Sequence, residues 1–419
     1  MSRSLTVEME RYRWPERVAN LGATVLKACG ARATLLDVDD ILAEARRRAR
    51  LEDWGEDHFI GVFRRLVELL SAAGITPLAH MFSRQILIKA VVNRLKIREF
   101  IRRNPAVRDV RIERPVFVVG FPRTGTTVLQ NLLAAHPERR ALQFWELTAP
   151  VPERDNPADD ARRKIAATNR LLDVAYRLAP EMGEVHAIRA TTAEECWSLF
   201  ANTFAVLNYE FQSGIAAFGD HLMAQDMTWA YAEYREMLQI LVHQRPARQL
   251  VLKCPEHLWF LDSLLRVFPD ACIVWTHRDP FDTIASYCSL NSLNRRVYYG
   301  EFHPTELGPF LTARFLRGIE RAMEVRKTAP AERFYDLRFE DLVPDQIAAT
   351  LRLEDHFGLG GDEATRARHV EAMRTWLESA RDDEKGRHRY DASRYGLDRA
   401  TVHQAYSRYI DAFGVVVKR

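Results

Sequence analysis

The residues most able to do chemistry sit in "PVFVVGFPRTGTTVLQNLL", Pro115 to Leu133. Gly120 and Gly125 hold the G-x-x-x-x-G spacing of a phosphate-binding loop, which then calls for Lys and Ser/Thr. Thr126 and Thr127 follow Gly125 instead, and the cation inside the loop is Arg123. Glycines let the backbone curl so that N–H groups face an anion. The N-terminus of the next helix adds unpaired donors and the positive end of its dipole. Thr124, Thr126 and Thr127 add hydroxyls, and Arg123 adds a charged fork. Such a loop suits a phosphate or phosphosulfate. It suits a magnesium triphosphate poorly, because the lysine that spans the terminal phosphates is missing.

A second cluster lies in "WTHRDPFDTIASY". Arg278 ends an apolar run, and Asp279 with Pro280 reads as an N-cap and first helical residue. Ser286 comes eight positions after Arg278, about two turns into that helix. Charge from Arg278 and the hydroxyl of Ser286 can converge on one further phosphate. Lys253, in "LVLKCPEHL", ends another apolar run and supplies a third cation.

Together these motifs resemble the sulfotransferases that use PAPS, 3′-phosphoadenosine 5′-phosphosulfate. The resemblance implies that Arg123, Gly125, Thr126 and Thr127, with Thr124 beside them, hold the 5′-phosphosulfate, and that Arg278 and Ser286 hold the 3′-phosphate. Lys253 matches a lysine of the family, and "RFEDLV" is similar to a later element. "GRHRYDASRYGLD", Gly386 to Asp398, is similar to the basic tail of the bacterial branch. That likeness implies closure over the nucleotide, with Arg387 among the binding groups. The implied chemistry is transfer of a sulfuryl group to an acceptor hydroxyl or amine, with Arg123 and Lys253 neutralising developing charge and no metal required.

An acceptor hydroxyl also needs a base. The family's histidine, two residues after the matching lysine, is replaced here by Pro255; His257 is the substitute on offer. The family's glutamate branch points instead to Glu146, twenty-three residues after Arg123. Phe144, Trp145 and Leu147 surround it and would raise its basicity. Glu146 is the first choice, and Glu194 and Glu195 are the reserve.

Stepping outward, residues from about 37 to 104 carry helical periodicity. From Pro115 short β-branched runs alternate with helical stretches, which implies β-α-β units and a parallel sheet. Arg123, Lys253 and Arg278 all follow strands, where ligands of such sheets bind. The fold class is therefore α/β: a P-loop-type parallel sheet flanked by helices, with an N-terminal helical region over 1–110. Residues 111–419 form the sulfotransferase-like part, and 158–245 are a helical insertion that roofs the acceptor site. Its aromatics, Trp197 to Tyr234, read more as core than as binding surface, and mildly favour a small-molecule or lipid-like acceptor, bulky and partly apolar.

The whole chain agrees with this. Its 419 residues carry 60 basic and 57 acidic side chains, a net +3, so no global field favours nucleic acid. Five scattered cysteines make neither a disulfide framework nor a zinc site and suit a reducing, cytoplasmic setting. No apolar run reaches the length of a membrane span. The N-terminal helices carry no chemical hint; packing on the core is their simplest role, and pairing into a homodimer is the other. Two further readings compete: a P-loop kinase or hydrolase, and a nucleotide fold without activity.

Overall fold

The computed structural model describes residues 9–185, 187–383 and 391–418. Four helices come first: α1 (Trp14–Ala28), α2 (Val38–Ala49), α3 (His58–Ala72) and α4 (Pro77–Arg103). Their ends follow local chemistry. Asp37 caps α2 by accepting from the Asp40 N–H at 2.8 Å, and three arginines fill its last turn. Thr76 caps α4, with Pro77 in the first turn. The 27 residues of α4 span about 40 Å.

Five parallel strands form the sheet: β1 (Val116–Gly120), β2 (Arg139–Ala141), β3 (Gln249–Lys253), β4 (Cys272–His277) and β5 (Phe334–Arg338). Their order is β2-β3-β1-β4-β5. Strands β1, β3 and β4 are buried along their whole length, as apolar runs covered on both faces must be. Strand β1 lies between β3 and β4, with Val118 opposite Lys253 and Gly120 opposite Thr276. Neighbouring strands sit about 4.8 Å apart. The loop after β1, Lys253 at the end of β3 and Arg278 after β4 therefore emerge side by side.

Sequence periodicity finds four of these strands and misses β2. That strand is three residues long and begins with two arginines, so no apolar alternation marks it. Tertiary partners make the arginines tolerable. Arg139 donates to Gln249 at 2.8 Å and pairs with the buried Glu354. Arg140 pairs with Glu146 at 3.0 Å.

Helix α5 (Thr126–Ala134) follows β1. Between β2 and β3 run α6 (Phe144–Thr148), α7 (Pro157–Leu178), α8 (Glu181–Val185), α9 (Trp197–Phe200), α10 (Asn208–Ser213), α11 (Ala216–Met223) and α12 (Thr228–Gln244). Most aromatics of this stretch are core. Phe200, Phe204, Tyr231 and Tyr234 are buried, whereas Trp197 is half-buried. The buried Arg94 of α4 donates to Glu233 of α12 at 2.6 Å, which ties the first helices to this insertion. After β3 come α13 (Leu261–Val267), α14 (Pro280–Tyr299), α15 (Leu307–Thr328) and, past β5, α16 (Phe339–Leu342). One hydrophobic cluster runs from Leu36 through the sheet to Val415.

Candidate active site

The loop after β1 needs its two glycines. Gly120 has φ 136°, and a Cβ there would collide with Thr276 on the neighbouring strand. Gly125 has φ 86°, and a Cβ would lie 2.6 Å from Leu342 Cδ2 of α16. Between them Arg123 also has a positive φ, 68°, which a side chain adopts only at some cost. Arg278 holds that conformation from outside: its Nη1 donates to the Arg123 carbonyl at 2.7 Å. The guanidinium itself rests on the Phe339 ring, 4.1 Å from its centroid. The Arg123 side chain is left on the exposed side of the loop.

The threonines divide in an order that sequence does not reveal. Thr124 is fully buried: its hydroxyl donates to the Phe121 carbonyl at 2.8 Å and meets Thr276 Oγ1 at 2.6 Å. Its hydroxyl braces the loop against β4 and does not face an anion, contrary to the sequence expectation. Thr126 and Thr127 open α5 and line a cavity of about 190 Å³ with Arg123 and Ser286.

Lys253 lies under this cavity, 1% exposed. Its Nζ donates to Thr127 Oγ1 at 3.2 Å and pairs with Glu195 Oε1 at 3.2 Å. Burial alone would pull its pKa down, but the carboxylates of Glu195 and Glu194 outweigh burial and hold it above the ordinary lysine value. Lys253 is thus a buried ammonium at neutral pH.

Long-range backbone bonds put Glu195 there. The Glu194 N–H donates to the Leu142 carbonyl at 3.1 Å, and the Cys196 N–H donates to the Lys253 carbonyl at 2.9 Å. The extended segment between them is clipped against β3, and both Glu194 and Glu195 line the cavity. These acids precede α9 and are not on a helix. Glu256 also lines the cavity. Burial pushes its carboxyl well above the usual range, while one oxygen accepts the Leu207 N–H at 2.7 Å. Sequence reading passed over Glu256, whose only local signal is its place three residues after Lys253.

Two expected bases lie elsewhere. Glu146 does not line the cavity. It is buried in α6, where it pairs with Arg140 at 3.0 Å and accepts the Gln143 N–H at 2.8 Å in a capping box. The apolar surroundings inferred from Phe144, Trp145 and Leu147 hold a guanidinium, so the carboxylate is already committed. His257 is fully enclosed by Phe117, Phe200, Tyr231 and Tyr234. Burial lowers its pKa to about 3, and its Nδ1 pairs with the Tyr231 hydroxyl at 2.9 Å. It is a core histidine. Arg387 lies outside the described residues. Among the described residues, no three His, Cys, Asp or Glu side chains gather to hold a metal ion, and no helix is long and apolar enough to cross a membrane.

The sulfotransferase family model matches residues 115–363, more than half of the chain. The chain belongs to the sulfotransferase family. Among curated relatives, the omega-hydroxy-beta-dihydromenaquinone-9 sulfotransferases Stf3 of Mycobacterium bovis and Mycobacterium tuberculosis are each 25% identical over 311 residues, 72% of this chain and 75% of theirs. Among solved structures, sulfotransferase STF1 of M. tuberculosis is 29% identical, with a TM-score of 0.75 over 89% of this chain and 98% of its own. Sulfotransferase STF9 of Mycobacterium avium is 25% identical, with a TM-score of 0.78 over 91% and 98%. These two likenesses reach beyond the family match and take in much of the N-terminal helical region.

Proposed function

We propose that this protein moves a sulfuryl group from PAPS to a hydroxyl of a bulky, partly apolar acceptor, with Glu195 as the general base. The carrying observation is the Lys253–Glu195 pair, which lies beside Thr127 under a loop built for an anion. The donor set fits a phosphosulfate: N-terminal N–H groups of α5, the Thr126 and Thr127 hydroxyls, and the charges of Arg123 and Lys253. Arg278 and Ser286 are assigned to the 3′-phosphate.

When bound, PAPS supplies the sulfuryl group and a bisphosphate that can leave. The residues then have distinct tasks. Glu195 accepts the proton of the acceptor hydroxyl. Lys253 orients that carboxylate through their ion pair and, through its contact with Thr127, places positive charge where the leaving oxygen becomes negative. Arg123 adds charge from the open side. Glu256, whose carboxyl pKa is raised by desolvation, faces the same cavity and can hydrogen-bond the acceptor. The named substrate of the Stf3 relatives, a hydroxylated dihydromenaquinone, supports a lipid-like acceptor here.

Calorimetry with adenosine 3′,5′-bisphosphate in EDTA, with ATP and AMP as controls, tests the donor assignment. Selective binding of the bisphosphate is the expected result. A magnesium-dependent preference for ATP would reopen the kinase reading.

A further inference from the structure

A second cavity, of about 170 Å³, lies between α4 and helices α9 and α10. Trp197, Asn208 and Gln212 line both this cavity and the candidate active site, so the two spaces share a wall. A cavity of roughly 150 Å³ with apolar walls holds a benzene ring, so this one admits a ring-sized body. Its surface is mainly apolar, from residues such as Ala90, Phe144 and Val206.

One polar group on its wall lacks the partner that buried groups normally have. Ser198, 8% exposed, has a buried hydroxyl with no hydrogen-bond partner among the described residues. Lys89, an exposed residue, also stands on the wall. By contrast Asn93 is satisfied: its amide donates to the Thr148 carbonyl at 3.1 Å and to Asn202 at 3.0 Å. On α4, Phe82 and Ile86 are exposed one turn apart, and Ile86 forms part of the cavity wall. They give an apolar body a path along the helix to the opening.

We propose that this cavity is the seat of the acceptor's body, so that α4 of the N-terminal region builds one wall of the acceptor site. This rests on the sulfotransferase reading above. The occupant is a ring-sized apolar group bearing an oxygen, such as a ketone, quinone or ester carbonyl, that accepts from the Ser198 hydroxyl. Its reactive hydroxyl extends past Trp197, Asn208 and Gln212 toward Glu195. The N-terminal helices then set acceptor choice, and their role is not confined to packing.

The test uses the full chain and the neutral fluorophore N-phenyl-1-naphthylamine, displaced by decane or by 2-decanone. Wild-type protein should bind one equivalent saturably, and 2-decanone should displace it about fivefold better than decane because of one added hydrogen bond. Ala201→Phe, which fills the cavity from its half-buried wall, should weaken fluorophore binding at least tenfold. Ser198→Ala should keep binding and erase the preference for the ketone. Leu21→Glu, on the exposed apolar stripe of α1, should change nothing. Unaltered affinity for adenosine 3′,5′-bisphosphate certifies the fold of each variant. Retained binding in Ala201→Phe, loss in Leu21→Glu, or no saturable binding by wild-type protein would overturn the proposal. If the bisphosphate fails to bind while the fluorophore follows the cavity variants, the donor assignment falls and the cavity stands.

Discussion

Replacing Glu195 with glutamine separates the proposed base from its structural setting. The side chain keeps its shape and one oxygen that can still accept from Lys253. What it loses is charge. At 3.2 Å the pair's Coulomb attraction is about 5 kcal/mol for an effective dielectric of about 20. Desolvation of the buried ammonium takes back much of this. Glu195 is also a quarter exposed, so water screens the pair further. The net loss of stability should be about 2 kcal/mol, or a Tm lower by roughly 2 °C. The pH dependence has a definite sign. Lys253 has a raised pKa in the folded protein, so its stabilisation is complete at neutral pH and is lost as pH climbs through that raised value, above the ordinary 10.5. In Glu195→Gln the carboxylate that most opposes burial is gone and Glu194 is the main one left, so the loss begins at lower pH. Catalytically, removing the base should cut turnover at least 10²-fold, while bisphosphate affinity stays within about threefold. Transfer of label from sulfur-labelled PAPS, calorimetry and a thermal melt at pH 7 and 10 measure these effects. A variant that binds the bisphosphate and turns over within threefold of wild type would refute Glu195 as the base.

Other substitutions probe the remaining assignments. Arg278→Ala removes a charge-assisted contact and the clamp on the Arg123 carbonyl, so calorimetry should find bisphosphate affinity about 30-fold weaker, near 2 kcal/mol; unchanged affinity would take Arg278 out of the site. Gly125→Ala must hold a side chain at φ 86° against Leu342, so chemical denaturation should report a loss of about 1–2 kcal/mol, with weaker nucleotide binding. His257→Gln should leave turnover between pH 6 and 8 unchanged. Because His257 is held neutral with a pKa near 3, folding resists its protonation, and wild-type stability should fall below pH 6.5. The stability difference between wild type and His257→Gln should therefore shift by about 2 kcal/mol between pH 7 and pH 5 in urea melts; parallel curves would contradict the core assignment.

Much of the candidate site was legible because it is local. Two glycines at fixed spacing, a strand before them and a helix after them specify a loop with inward N–H groups, whatever the rest of the chain does. The same holds for Asp279 and Pro280, whose side chain and ring start α14 directly after β4. A local signal also stood against Glu146: Gln143 lies three residues earlier, at the spacing of a capping box. Strand β2 was illegible because its two arginines are made tolerable by Glu354 and Glu146, residues that only folding brings near.

The sequence by itself determined that a parallel sheet carries a glycine loop after one strand and cations after others, since helical and strand periods and glycine spacing act within a few residues. The tertiary structure decided which carboxylate meets Lys253. Glu146 and Glu195 both have aromatic residues nearby in sequence, and locally only the capping-box spacing of Gln143 separates them. Arg140 claims the first, while the hydrogen bonds of Glu194 to Leu142 and of Cys196 to Lys253 carry the second to the ammonium. Register between distant segments sets those distances; the carboxylates it brings near keep Lys253 charged against burial, and burial keeps His257 neutral. Neither register nor burial is written in any single stretch of the chain.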